Sequence, residues 1–382
     1  MVNHLVTRLI SNVIATSKSL TLGLGLLLSA CSDPWPPVVP ADLDVAKVSA
    51  SLIALATLHL ERQQQLMLDT ASLRLAIDEF LQAPDAQRQQ AAQAAWRNAH
   101  LAFLDLAALP LAGPPHEPLG PLLYQIDAWP IEPGYLDRLP AYPDSGLISD
   151  LTVTITPESL REQNGFTDSS EVSLGFHALE YLIFDRDATD FRVLEPASPR
   201  VEPTAAAQIN VNANEIIARR RLVLDIITTQ IAADLDLWLT DARRPNATED
   251  LMIPTREIAR LLAHSLKTAQ LAITEVNRLL IPGEGHGAYS QSSRPALSSK
   301  VSGLNQIFFA PVKLGEVLSP LATDATQSLQ NNLQAATELC ALTQISELEA
   351  SRLELLLLAL PNQIEALSAA LTKAMADAQD QS

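Results

Sequence analysis

Apolar residues recur at helical spacing along most of the chain. Between residues 44 and 81, Leu52, Leu55, Ala56, Leu66, Leu73, Ile77 and Phe80 keep to one stripe, the pattern of an amphipathic helix. Pro84-Asp85 interrupts it. A second helix is predicted over 85–109, with Trp96, Ala99, Phe103, Leu106 and Leu109 on one face, and Pro110 ends it. Further helical stretches fall at 204–242, 254–280, 302–318, 321–343 and 345–378, and the last two read as a hairpin.

The pattern stops between 111 and 151. Pro114-Pro115, Pro118, Pro121, Pro130, Pro133, Pro140 and Pro143 forbid long helices there. A short helix fits 119–128, and residues 151–155 suit a short extended piece. An irregular segment of this length inside a compact domain is more often functional than decorative. Thr156-Pro157-Glu158 starts a short helix, with Thr as cap and Pro in the first position. Another helix is predicted from about 170 to 185. The charged, Pro-containing stretch from 185 to 203 then marks a boundary.

Aromatic residues make up only 4% of the 382 residues, while Leu and Ala abound. That composition favours helical bundles over sheets. The length exceeds what one hydrophobic core comfortably serves. The expected fold is all-α: two helical-bundle domains packed together with a cleft between them. The first, over 44–190, contains the long Pro-rich irregular segment, and the second covers 204–380.

The N-terminal end reads as a leader. Arg8 and Lys18 precede a short apolar core from 20 to 28, and no acid occurs before Asp33. The core is about half the ~20 residues needed to span a bilayer, which fits a signal peptide over 1–30. Leu28-Ser29-Ala30-Cys31 resembles a bacterial lipobox, which implies lipidation of Cys31 and a membrane anchor. Residues 31–43, with Pro34, Pro36 and Pro37, form a tether. Ser32 after the cysteine favours the outer membrane, so the expected location is the cell envelope, facing the periplasm. The other cysteine, Cys340, would have no partner and reads as a small core residue. The net charge of −18 argues against nucleic acid as a partner.

The densest chemistry lies in Gly175-Phe176-His177-Ala178-Leu179-Glu180. His177 and Glu180, three apart on a helix, share a face. Together they start a metal site or an acid/base pair; a core histidine bonded to its helix neighbour is the commoner outcome for an arbitrary H-x-x-E. Gly175 suits a close approach of backbone or ligand. A zincin helix needs H-E-x-x-H, whereas Ala178 and Tyr181 stand at those positions here. Any further ligands must come from elsewhere, with His116, Glu117, Asp127, Glu132, His264 and His286 as candidates. The run Arg219-Arg220-Arg221 reads as a solvated helix face, with an anion or partner contact as the minor reading.

This motif resembles the G-x-H-x-x-E signature of imelysin-like, or peptidase M75-like, proteins of bacterial envelopes. Ala95-Trp96-Arg97, Gly120-Pro121-Leu122, Ile126-Asp127-Ala128-Trp129-Pro130, Ser293-Arg294, and Gly315 after Ala310-Pro311-Val312-Lys313 resemble other segments of that family. Pro295 stands where an aromatic is expected. The resemblance implies two helical bundles and a metal-related role in iron uptake or homeostasis. It places the metal, iron or zinc, at His177 and Glu180, with Asp127 as the extra carboxylate. Gly175, Trp96, Arg97, Trp129, Ser293 and Arg294 would line the ligand cleft, and Arg97 or Arg294 would orient an anionic chelator. Three functions follow. The first is an envelope lipoprotein that binds a divalent metal or its chelate, with envelope transport partners. The second is a metallopeptidase, with Glu180 catalytic and no other catalytic residue assigned. The third is an interaction scaffold without metal.

Overall fold

The computed structural model describes residues 39–109, 119–194, 205–241, 286–342 and 344–380, with six further positions between 262 and 269. The described residues are helical and loop structure, with one isolated bridge between Leu139 and Tyr142. The helices are α1 (Val45–Gln82), α2 (Ala86–Ala107), α3 (Leu119–Asp127), α4 (Pro157–Gln163), α5 (Gly175–Phe184), α6 (Ala205–Asp241), α7 (Ser293–Phe308), α8 (Leu314–Leu318), α9 (Thr323–Ala341) and α10 (Glu347–Asp380). A short 3₁₀ turn spans Ala188–Phe191. The leader, Cys31 and the tether as far as residue 38 lie outside the described residues, as do His116, Glu117, His264 and most of the helix expected over 254–280.

Local chemistry fixes the helix starts. Asp44 caps α1 by accepting from Ala46 N and Lys47 N, and Asp85 caps α2 by accepting from Arg88 N at 2.8 Å. Thr156 and Ser159 form a reciprocal capping box at α4, with Pro157 in the first position. The predicted stripe of α1 is buried at Leu52, Leu55, Leu66, Leu73, Ile77 and Phe80. Phe80 meets Phe191 edge to face, with centroids 5.0 Å apart. Full burial of each such side chain contributes roughly 1.5–3 kcal/mol. Along the hairpin of α9 and α10, Leu329, Leu333, Ala336 and Cys340 are buried on one helix, and Leu353, Leu357, Leu360, Ile364, Leu367 and Leu371 on the other. The free thiol of Cys340 sits in that seam. Although α10 is long and apolar enough to cross a membrane, its heptad-spaced face packs along α9.

Four expectations need correction. Residues 151–155 are turn and coil, not extended pairing. The helix expected from 170 begins at Gly175, because residues 165–172 fold into a turn tied by Gly165 N to Glu171 O and Glu171 N to Asp168 O. The stretch expected over 302–318 is two helices. α7 begins earlier, at Ser293, since Pro295 falls in the first turn, where its missing N–H is not needed. Residues 309–313, containing Pro311 and the left-handed Lys313 (φ 62°), separate it from α8.

The fourth correction concerns Arg219-Arg220-Arg221, which is pinned inward instead of solvated. Arg219 donates to the carbonyls of Leu147, Ile148, Asp150 and Val153. Arg221 donates to the carbonyls of Phe191 and Leu81. Arg220, 2% exposed, makes a two-pronged contact with Asp137, 0% exposed, at 2.7 and 3.0 Å. These bonds satisfy carbonyls of a segment too Pro-rich to satisfy its own. They also fasten α6 to the Pro-rich segment, and α6 packs against α1, α3 and α5. A helix that follows the expected boundary thus lies among helices that precede it. Arg220→Met leaves Asp137 buried with a partner removed and is expected to destabilise the fold by about 3–5 kcal/mol. Urea denaturation measures this, and a loss below ~1 kcal/mol would mean that the pair behaves as a surface ion pair.

Candidate metal centre

The site is built from the N-terminus of α5. Gly175 adopts φ +84°, and a Cβ there would meet Gln125 O at 2.5 Å and Ile126 O at 2.6 Å. Only glycine lets the start of α5 rest against the last carbonyls of α3. That contact brings Asp127, the final residue of α3, beside His177: Asp127 Oδ1 lies 3.3 Å from His177 Nε2. Gly175→Ala combines strain at positive φ with a clash against backbone. It is expected to cost about 1–3 kcal/mol, read as a lower midpoint in urea.

Two further histidines converge on the same point. His100 of α2, fully buried, places Nε2 2.8 Å from Asp127 Oδ1. His286, in the turn before α7, places Nε2 2.9 Å from His177 Nε2 and 3.3 Å from Asp127 Oδ2. One donor atom from each of His100, Asp127, His177 and His286 lies within 4.8 Å of the others. Three imidazoles and a carboxylate make a donor set suited to a divalent transition metal.

Glu180 stands behind this group. Its Oε2 lies 2.8 Å from His177 Nδ1, and its Oε1 accepts from Ser290 N at 2.7 Å. A carboxylate on the far nitrogen of an imidazole fixes ring orientation and raises the basicity of the near nitrogen. Sequence reasoning expected Glu180 among the ligands; in the structure it lies outside the four-donor group, on the far nitrogen of His177. Trp96 Nε1 donates to Phe176 O at 2.8 Å, and its ring lies 4.7 Å from that of His100. Trp129 sits 5.7 Å from the His286 ring. Arg97 and Arg294, expected to orient an anion, donate instead to backbone carbonyls, Ser290 O and Leu339 O. Ser293 is the first residue of α7, outside the four donors. A cavity of about 490 Å³ reaches the centre past His177 and Glu180, between Trp129, Ile131 and Tyr289, with Glu132 and Asp168 in its lining.

The family profile for imelysin, Peptidase M75, matches residues 59–381. The chain belongs to the imelysin family. A Parabacteroides distasonis ATCC 8503 structure, assigned as an iron-regulated protein A precursor, superposes with a TM-score of 0.57 at 12% identity, over 87% of this chain and 96% of that one. An imelysin-like protein from Psychrobacter arcticum 273-4 gives a TM-score of 0.48 at 15% identity, over 87% and 95% of the two chains. A comparison with curated proteins gave no match. At these identities the Parabacteroides likeness establishes the all-α imelysin fold.

Sequence reasoning counted His100 only among the few histidines on which a multi-His site would have to draw, and did not single it out. It lies one helical turn after Trp96, on the same face, and that spacing was its only signal. His286 was weighed among several candidates, and nothing in its Gly-rich surroundings set it apart.

The centre divides its protons unevenly. Burial works against a charged His177, but Asp127 and Glu180 outweigh it and push the imidazole up to about 9. Burial, then the neighbouring His177, pushes His286 down to about 4; burial lowers His100 as well. Burial also opposes ionisation of Asp127, yet His100 and His286 hold its carboxyl well below the usual range. Without metal, His177 therefore adds stability that is complete below about pH 6.5 and lost as pH rises through about 9. His286 subtracts stability at low pH, and this penalty fades as pH rises from about 4 to about 6.5. In chelator-treated protein, urea denaturation should show these two contributions meeting in a maximum near pH 6.5. His177→Ala should flatten the decline above it. An undiminished decline in that variant would assign it to other groups.

Proposed function

We propose that this imelysin-family protein is an envelope lipoprotein that binds a divalent transition-metal cation for iron uptake or homeostasis. The observation that carries this reading is the convergence of four donors from α2, α3, α5 and the turn before α7 on one buried point. The residues that would hold the ion are His100, Asp127, His177 and His286. Two imidazole nitrogens facing each other at 2.9 Å cannot both present a proton, and a shared cation replaces that proton. When bound, the metal supplies a Lewis-acid centre of fixed geometry.

Donor chemistry alone fits iron or zinc. The iron reading is supported by the name of the Parabacteroides relative, an iron-regulated protein. A bare or hydrated cation suits the cavity better than an anionic chelate, because its lining carries Glu132, Asp168 and Glu180 and, among the described residues, no Lys or Arg. Peptidase chemistry is less well supported. Four protein donors fill a tetrahedral site, whereas catalytic zinc keeps a position open, and both oxygens of Glu180 are already engaged. The leader anatomy supports attachment through Cys31, with envelope transport proteins as the partners that would exchange metal.

Calorimetric titration of the soluble chain beginning after Cys31 with Fe²⁺, Fe³⁺ and Zn²⁺ tests the reading. The expected result is one ion per chain. Binding should be lost in His177→Ala and weakened about 10–100-fold in Glu180→Gln, as for other residues that orient a ligand. Wild-type protein that binds none of these ions would sink the proposal. Unchanged affinity in His177→Ala would move the site elsewhere.

A further inference from the structure

The turn that brings His286 to the centre is gripped at one residue, Ser290, through the two peptide groups that flank it. Ser290 N donates to Glu180 Oε1 at 2.7 Å. Ser290 O accepts from Arg97 Nε at 3.3 Å and from Arg97 Nη2 at 3.2 Å. The guanidinium of Arg97 also lies over the Phe184 ring, 4.6 Å from its centroid. Arg97 and Glu180 come from different helices, α2 and α5, so the backbone on either side of the Ser290 Cα is held by the same two helices that supply His100 and His177.

The turn itself is stiff. Ser292 N donates to Gly287 O at 3.0 Å. Ser290 Oγ donates to Gly287 O at 3.3 Å and pairs with Ser292 Oγ at 2.7 Å. Gly287 has φ +74°, and a Cβ there would run into Ser292 Oγ. Ser290, Ser292 and His286 are all at least 95% buried. A displacement of the Ser290 backbone therefore carries His286 with it, because the turn's own hydrogen bonds tie residues 287–292 together.

We infer that Arg97 is a positioning residue for His286: by holding the Ser290 carbonyl while Glu180 holds its amide, it sets the turn that presents the His286 imidazole to the other three donors. The inference rests on the metal reading above. Its hydrogen bonds go to Ser290 and to none of the four donors. Lysine is a poor substitute, since it lacks the planar fork that gives two N–H groups to one oxygen while stacking on a ring.

Charge and position make opposite predictions. A cation next to a cation site repels the ion, so removing Arg97 should tighten metal binding if only its charge matters. If it positions His286, removal should weaken binding. The experiment is a Zn²⁺ and Co²⁺ titration of full-length mature protein carrying Arg97→Ala or Arg97→Lys, alone and combined with His286→Ala or His100→Ala. Amide hydrogen exchange is followed over residues 286–292 in the metal-free proteins.

Arg97→Ala should weaken binding about tenfold or more, with Arg97→Lys intermediate. The loss should vanish in the His286→Ala background and persist with His100→Ala. Exchange at Ser290 should accelerate at least tenfold, with α9 and α10 unchanged. Tighter binding in Arg97→Ala, an undiminished effect in the His286→Ala background, or unaltered exchange would each overturn the inference. If the wild type binds neither metal, the proposed function is decided by the iron titration above, and exchange in the metal-free protein still decides whether Arg97 holds the turn. General unfolding by Arg97→Ala would show as faster exchange in α9 and α10, and Arg97→Lys then carries the comparison.

Discussion

The arrangement depends on how closely two stretches of backbone can approach. The N-terminus of α5 rests on the carbonyls of Gln125 and Ile126 at distances that leave no room for a Cβ. An exposed helix N-terminus carries unpaired N–H groups and partial positive charge. Setting it against the carbonyls at the end of α3 is electrostatically favourable, provided position 175 has no side chain. Once the two helix ends meet, Asp127 and His177 are neighbours. The imidazole then has one carboxylate at each ring nitrogen, Asp127 on one side and Glu180 on the other.

Burying that much charge is costly unless each group is matched. The structure matches them in two places. At the centre, Asp127 and Glu180 flank His177, whose imidazolium offsets one of the two negative charges while hydrogen bonds from His100 and Ser290 N help hold the carboxylates. Beside it, Asp137 is matched by Arg220, and Arg186 lies 3.3 Å from the same carboxylate. The second cluster serves the first. Tyr181, one residue past Glu180 on α5, has its hydroxyl 2.5 Å from Arg186 Nη2. Gln89 and Gln93 of α2 donate to the carbonyl of Ile183 near the end of α5. α5 is thus fixed at both ends and along its length, and a ligand-bearing helix needs such fixing if its histidine is to stay within a few tenths of an ångström of its partners.

How much was legible in the sequence follows the range of the interactions. Helix periodicity and caps are local, so α1, α2, α9 and α10 could be placed to within a few residues from apolar spacing and from Asp44 and Asp85, and α4 from Thr156 and Pro157. The family signature pointed to His177, and the neighbouring Asp127-x-Trp129-Pro130 segment pointed to Asp127. Other assignments depended on tertiary contacts that no spacing encodes. The Arg triplet on α6 looks like a solvated face until the Pro-rich segment is seen to need donors for its carbonyls. Arg97 looks like an anion clamp until the Ser290 carbonyl occupies it. Glu180 looks like a ligand until Ser290 N claims its second oxygen. In each case a charged side chain expected to face solvent or a ligand was taken up by a buried polar group, which costs more to leave unpaired than an exposed charge does to leave hydrated.

The donors also differ in how they are held. His100, Asp127 and His177 come from three helices that pack on one another, so their positions follow from the core. His286 comes from a turn more than a hundred residues later in the chain, and its place depends on the hydrogen bonds at Ser290. Three donors on rigid elements and a fourth on a separately fastened turn make a site that can be complete or incomplete without unfolding the helices around it. That difference suits reversible holding of an ion better than a permanent structural metal, whose ligands form part of the core and whose removal unfolds the domain. The cavity past His177 and Glu180 adds a path to the same point. A centre that is buried, reachable, and closed by a ligand fastened separately from the helices would have physical properties that loading and release of a cation require.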